Sequence, residues 1–162
     1  MLWGRSDESV IQTLTFTFDC SLPPASVLEA AVDFTDRRSD VFPAVEAEYY
    51  HVHSIGDKCA DVTEGTGTGI GTSWERCQYS WSTPGCVTAA VIDSNVYADG
   101  SSWTITAVAA PHGSQVQMTW VREFQRNIRG RVFGALFRVA GQSLLGNYAR
   151  RIIGNLEARR VA

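Results

Sequence analysis

Polar side chains follow tryptophans at even spacing in two stretches of this chain: Arg76, Gln78 and Ser80 after Trp74, and Arg122 after Trp120. In an extended strand, residues two apart share a face. If Trp74 and Trp120 turn inward, these polar groups turn inward with them. A few polar groups set in an apolar wall are how a small-molecule pocket fixes the orientation of its ligand. In a dry core each would be left unpaired, at a cost of about 1–3 kcal/mol. Trp103 lies in a third such stretch, and Phe133, Phe137 and Tyr148 recur later on a helical period. Two readings follow for these rings: they fill an ordinary core, or they wall a cavity. The candidate ligand-binding set is Trp74, Arg76, Gln78, Trp103, Trp120, Arg122, Phe133, Phe137 and Tyr148.

Other chemistries find less support. His51 and His53 share a strand face as metal ligands can, but no third ligand of suitable type is near in sequence, and no metal site is expected. Residues 64–71, Glu-Gly-Thr-Gly-Thr-Gly-Ile-Gly, resemble a phosphate loop only in composition. Their glycines miss the dinucleotide spacing, no Gly-Lys-Ser/Thr follows, and a strand comes next rather than a helix. A flexible strand connection, bordering a pocket mouth if one exists, is the reading. Neither a G-x-S-x-G elbow nor an H-E-x-x-H segment occurs, and no cofactor is expected. Were there acid–base chemistry, Tyr50, Tyr148 and Asp93 would be its candidates; whether Glu75, Asp93 and Glu123 face solvent is a matter of geometry.

The elements that must position these residues are legible from periodicity. Leu14, Phe16 and Phe18 alternate with threonines over 11–19, a first strand that Pro23-Pro24 ends. A short helix over 25–32 and a second helical piece from Thr35 or Asp36 to Phe42-Pro43 come next. Strands are predicted over 48–54, 58–64, 72–81, 87–95, 103–109 and 115–124, with Gly56-Asp57, Pro84-Gly85, Asp99-Gly100 and Pro111-His112-Gly113 as turns. Short gaps favour antiparallel pairing. After Asn127, Phe133, Phe137, Ala140, Leu144, Tyr148, Ile152 and Leu156 fall on one helical face, with a bend expected near Gly141. Residues 1–9 read as a loose leader and 10–160 as a single domain.

With 162 residues, 44% hydrophobic and 19% charged, the composition is that of an ordinary globular chain. No apolar run approaches the ~20 residues of a membrane span, and the start lacks the pattern of a secretory signal. A cytoplasmic protein is expected. Cys20, Cys59, Cys77 and Cys86 form no C-x-x-C pair and read as thiols rather than disulfides or zinc ligands. The net charge of −3 is unevenly spread: residues 122–162 carry nine arginines against two acids, so the remainder is strongly acidic. The arginine-rich segment either neutralises the acidic sheet or docks an acidic protein partner or an anionic lipid surface. Nucleic acid is not expected, since the chain has one lysine and no nucleic-acid motif. The excess of arginine over lysine hints at a GC-rich bacterial genome.

Strand, two short helices, six strands and a long C-terminal helix resemble the helix-grip fold of the START-like (SRPBCC) superfamily, particularly its polyketide cyclase/dehydrase branch. Trp103-Thr104 with residues 118–124, Met-Thr-Trp-Val-Arg-Glu-Phe, is similar to the closing hairpin of the aromatase/cyclases, as is residues 71–75, Gly-Thr-Ser-Trp-Glu, to a strand start. The resemblance implies an α+β fold: a curved, antiparallel, seven-stranded sheet wrapped around the C-terminal helix, with a deep cavity for a hydrophobic ligand between them. It also implies positions for aromatase polar residues. Gln78 and Ser80 stand where that family has serine and arginine, and Val45 where it has tyrosine. The expectation is therefore a protein that binds a lipid, polyketide or other apolar metabolite. The alternatives are a cyclase, dehydratase or aromatase acting on a β-ketone chain, with Arg76 or Arg122 stabilising an enolate, and a regulatory module acting through a protein partner.

Overall fold

Threonines alternating with Leu14, Phe16 and Phe18 give β1 (Gln12–Cys20) one exposed and one partly buried face. In the computed structural model, which describes residues 11–159, β1 leads through α1 (Pro24–Ala31) and a single-turn α2 (Arg38–Val41) to six further strands. These are β2 (His51–Ile55), β3 (Cys59–Thr68), β4 (Gly71–Ser80), β5 (Cys86–Ser94), β6 (Ser102–Ala110) and β7 (Gly113–Arg122). The chain then enters α3 (Ile128–Arg159). The leader expected over residues 1–9 lies outside the described residues.

All seven strands join one antiparallel sheet in the order β1-β7-β6-β5-β4-β3-β2. Consecutive strands are neighbours except β1, which closes against β7. The two short helices carry the chain from one edge to the other, and α1 packs on β5, β6 and β7. Val62, Tyr79, Val87, Ile105, Val116 and Met118 line the concave face and are almost wholly buried, together with Ile152 and Leu156 of α3. Each fully buried aliphatic side chain of this kind contributes about 1.5–3 kcal/mol.

Two of the differences from expectation bear on the site. Residues 47–49 form a 3₁₀ turn rather than the start of a strand, because the Tyr49 amide donates to the Glu46 carbonyl and the Glu46 amide to Gly65. The glycine-rich stretch is paired strand, not a flexible connection: Gly65, Thr66, Gly67 and Thr68 face Trp74, Ser73, Thr72 and Gly71 across the ladder. Only Gly69 and Ile70 are left to make the turn. A Cβ on Gly65 would lie 2.8 Å from that of Trp74 and 3.0 Å from that of Tyr49, so the missing side chain lets three backbones converge.

The Asn127 side chain caps α3, its Oδ1 accepting from the Gly130 amide at 2.7 Å. The two halves of this helix behave differently. Gly146, Ala149, Ile152, Ile153 and Leu156 are buried where α3 meets β1 and α2. Gly146 lets the backbone close on Phe16, whose ring a Cβ there would meet at 3.1 Å. Towards the N-terminus, Val132, Leu136, Val139 and Leu144 are exposed, Val139 by 89%. The apolar period read in the sequence continues, but the sheet no longer follows it. No helix among the described residues is long and apolar enough to cross a membrane.

Candidate functional site

Where α3 stands off the sheet, a cavity of about 400 Å³ opens between them. Trp103, Met118 and Trp120 form its floor from β6 and β7; Leu144, Leu145, Tyr148 and Ile152 form its roof from α3. Phe42, Ala44 and Val45, from the segment after α2, close one side. The rings are mutually braced: Trp120 lies 6.1 Å from Phe16 and 6.3 Å from Tyr148, and Trp103 lies 5.8 Å from Phe42 and 5.7 Å from Tyr79. Burial pushes the Tyr148 hydroxyl above the ordinary phenol range, so it stays protonated, a donor as well as an acceptor.

The polar border comes from β3, β4, β7 and the β5–β6 connection. Arg122 grips Glu75 bidentately, Nη1 to Oε2 at 2.9 Å and Nη2 to Oε1 at 3.3 Å, and its guanidinium carbon lies 4.3 Å from the centroid of the Tyr97 ring. Burial works against the Arg122 charge, but Glu75 outweighs it and keeps the guanidinium protonated. Both side chains line the cavity, with Ser73 and Tyr97 beside them. Burial also raises the Tyr97 hydroxyl.

Glu64 borders the cavity too, held from behind by an arginine inside the core. Arg38 is 2% exposed; its Nε donates to Glu64 Oε1 at 2.7 Å and its Nη1 to the Ala31 carbonyl at 2.7 Å. The guanidinium lies between aromatic rings, 4.1 Å from the centroid of Phe42 and 4.8 Å from that of Phe34. Tyr79 donates to the second Glu64 oxygen at 2.6 Å. Burial opposes the Arg38 charge, and Glu64 more than restores it.

Of the nine residues predicted from sequence, the fold brings Trp103, Trp120, Arg122 and Tyr148 to the cavity, and Trp74 to its border at a strand position that shares the face of Arg76 rather than that of Glu75. The other four lie elsewhere. Strand β4 turns Glu75, Cys77 and Tyr79 to the concave face, so Arg76 and Gln78 turn away. Arg76 pairs with Asp61 through two bonds of 2.8 and 2.7 Å on the outer surface, and Gln78 is exposed. Phe137 packs on Phe124 at 5.4 Å, and Phe133, partly buried, is absent from the lining. Arg76 is thereby corrected as an anchor or enolate stabiliser: its charge is committed to a carboxylate outside the cavity.

Glu64, Glu75, Tyr97, Met118 and Leu145 line the site without having been singled out from sequence. A signal for Glu75 existed. Cys77 and Tyr79 are apolar residues two apart on β4, and taking their parity rather than that of Trp74 as inward carries Glu75 in with them.

Ser80, aligned with an aromatase arginine, bonds Ser82 on the outside, whereas Val45 does reach the cavity. Tyr50 and Asp93 do not line it. Among the described residues the buried Tyr50 hydroxyl has no hydrogen-bond partner, and burial pushes its pKa up to about 12. His51 and His53 stack edge to face at 4.5 Å and His53 bonds Thr63; among the described residues no three metal-ligating side chains cluster. Part of the arginine-rich segment acts internally, Arg122 on Glu75, Arg129 on the Thr72 carbonyl and Arg159 on Asp33.

This layout recurs in solved structures. An aromatase/cyclase from Streptomyces sp. R1128 superposes with a TM-score of 0.75 at 13% identity, covering 94% of this chain and 97% of its own. The chain has the START-like, helix-grip fold. A START superfamily protein from Mycobacterium smegmatis matches at 0.64 and 9% identity over 92% and 95% of the two chains. A major latex-like protein from Panax ginseng matches at 0.62 and 8% identity over 94% and 99%. No protein-family model matches the sequence, and no curated protein does. What these helix-grip structures share with this chain is the architecture that holds a long helix over a curved sheet.

Proposed function

We propose that this protein binds a hydrophobic small molecule, a lipid, polyketide or related apolar metabolite, between the sheet and α3. One observation carries the reading: a cavity of about 400 Å³ whose floor and roof are aromatic and aliphatic and whose polar groups gather at one border. That volume falls in the range of small-ligand pockets, and the segregation of apolar wall from polar border is what orients a bound molecule. The solved structures that share the fold include START superfamily and aromatase/cyclase proteins, which supports it.

Titration with the uncharged fluorophore N-phenyl-1-naphthylamine tests it. Saturable binding of one probe per chain, weakened at least tenfold by the cavity-filling variant Ala44→Trp, is the expected result. Probe binding that never saturates, or that ignores Ala44→Trp in a folded variant, overturns the reading.

A cyclase or dehydratase activity on a β-ketone chain is the second reading, favoured by Glu75, Arg122, Tyr97 and Tyr148 bordering an otherwise apolar space. An enolising enzyme needs such groups within reach of substrate. Turnover of a β-ketone chain that survives Arg122→Met and Tyr148→Phe would remove it. The exposed arginines of α3, Arg131, Arg138 and Arg151, are the face that an acidic protein or an anionic lipid surface would meet, and an association that weakens as salt rises is its test.

A further inference from the structure

The charges bordering the cavity limit the kind of apolar molecule that fits it. Among the described lining residues three are charged, Glu64, Glu75 and Arg122. Arg122 is the one cation among them, and both terminal nitrogens of its guanidinium are engaged by Glu75. Arg38 compensates Glu64 from behind the wall, with its guanidinium between the rings of Phe34 and Phe42 and absent from the lining. An entering carboxylate would therefore meet two carboxylates and a guanidinium already neutralised, in surroundings where unpaired charge is costly. Each Glu64 and Glu75 oxygen accepts one bond in the protein and keeps acceptor capacity for another. A hydroxyl or amide N–H can use that capacity. An ionised acid cannot.

We infer that the site, on the reading that the cavity holds an apolar ligand, selects uncharged molecules ending in a hydrogen-bond donor and rejects ionised fatty acids of the same length. Glu75 sets this preference by occupying Arg122. The acid–arginine pair is the selectivity element, and its carboxylate is the part a ligand carboxylate would have to displace.

Displacement of bound N-phenyl-1-naphthylamine at pH 8 by 1-decanol, decanamide and decanoate tests this with chains of one length. Decanol and decanamide are expected to compete at least tenfold better than decanoate. Because an alcohol also partitions from water more readily than an ion, Glu75→Gln supplies the decisive comparison. Freeing Arg122 should tighten decanoate at least tenfold, while decanol, which loses a carboxylate acceptor, gains nothing. The double variant Glu75→Gln/Arg122→Met should return decanoate to weak binding.

Decanoate binding the wild type as well as decanamide does overturns the inference without any variant, and so does Glu75→Gln leaving decanoate unchanged. If the probe fails to bind saturably, the cavity reading falls and this one with it; if the probe binds and decanoate is preferred, this one falls alone.

Discussion

Replacing Arg38 by methionine isolates the buried charge that holds the cavity wall. In the native protein Arg38 is 2% exposed, and its Nε lies 2.7 Å from Glu64 Oε1. Methionine fills much of the aliphatic volume between Phe34 and Phe42 but leaves the Glu64 carboxylate, 8% exposed, with Tyr79 as its remaining donor. Removing one partner of such a pair costs about 3–5 kcal/mol, because the other is left charged and poorly solvated. For a domain of this size that corresponds to a fall in Tm of roughly 6–20 °C. The double variant Arg38→Met/Glu64→Gln removes the stranded charge and keeps an acceptor for Tyr79, so it should recover at least half of the loss. Thermal and urea unfolding followed by near-ultraviolet circular dichroism reports both variants. A single variant as stable as wild type, or a double variant no better than the single, would refute the reasoning.

Three further outcomes follow from the geometry. Asp33 joins the α1–α2 turn to the end of α3; burial opposes its charge, but bonds from Thr35 and Arg159 lower its pKa from 3.8 to about 2. Because the folded value is the lower one, its contribution is complete above about pH 4 and is lost as pH falls towards 2. Asp33→Asn should therefore flatten the acid-unfolding profile in that window. Gly65→Ala places a methyl 2.8 Å from the Trp74 Cβ, and equilibrium unfolding should show a loss of about 1–3 kcal/mol. Phe137→Ala removes a ring that rests on Phe124 outside the cavity, so it should lower stability while leaving probe affinity within about twofold, whereas Trp120→Ala weakens the probe.

The β6–β7 hairpin shows what the sequence makes plain. Trp103, Ile105 and Ala107 alternate with polar or exposed residues and meet Trp120, Met118 and Val116 in register, so period, face and pairing agree. Strand β4 shows where that legibility fails. Its one tryptophan suggested an inward face for Arg76 and Gln78, while Cys77 and Tyr79, less conspicuous, mark the face that is buried. The pairing of β4 with β5 also shifts register between Arg76 and Cys77, which no local pattern announces.

Helix α3 fails differently. Its apolar stripe is continuous, so nothing in the period says that the sheet contacts end before Leu144, and Phe133 and Phe137 read as cavity wall for that reason. Arg38 was invisible because a lone arginine in a short helix reads as solvated. Its burial depends on Glu64, 26 residues away, and on three rings no local pattern would gather.

Everything functional here depends on the space under α3 being open in solution and apolar in character. Xenon, which enters dry apolar cavities and avoids filled ones, reads that directly in crystals pressurised with the gas. Ordered xenon between Trp103, Met118, Trp120 and Leu145, or a co-purified organic molecule already occupying that position, is the predicted result. Side chains filling the same volume, with neither xenon nor ligand among them, would contradict it.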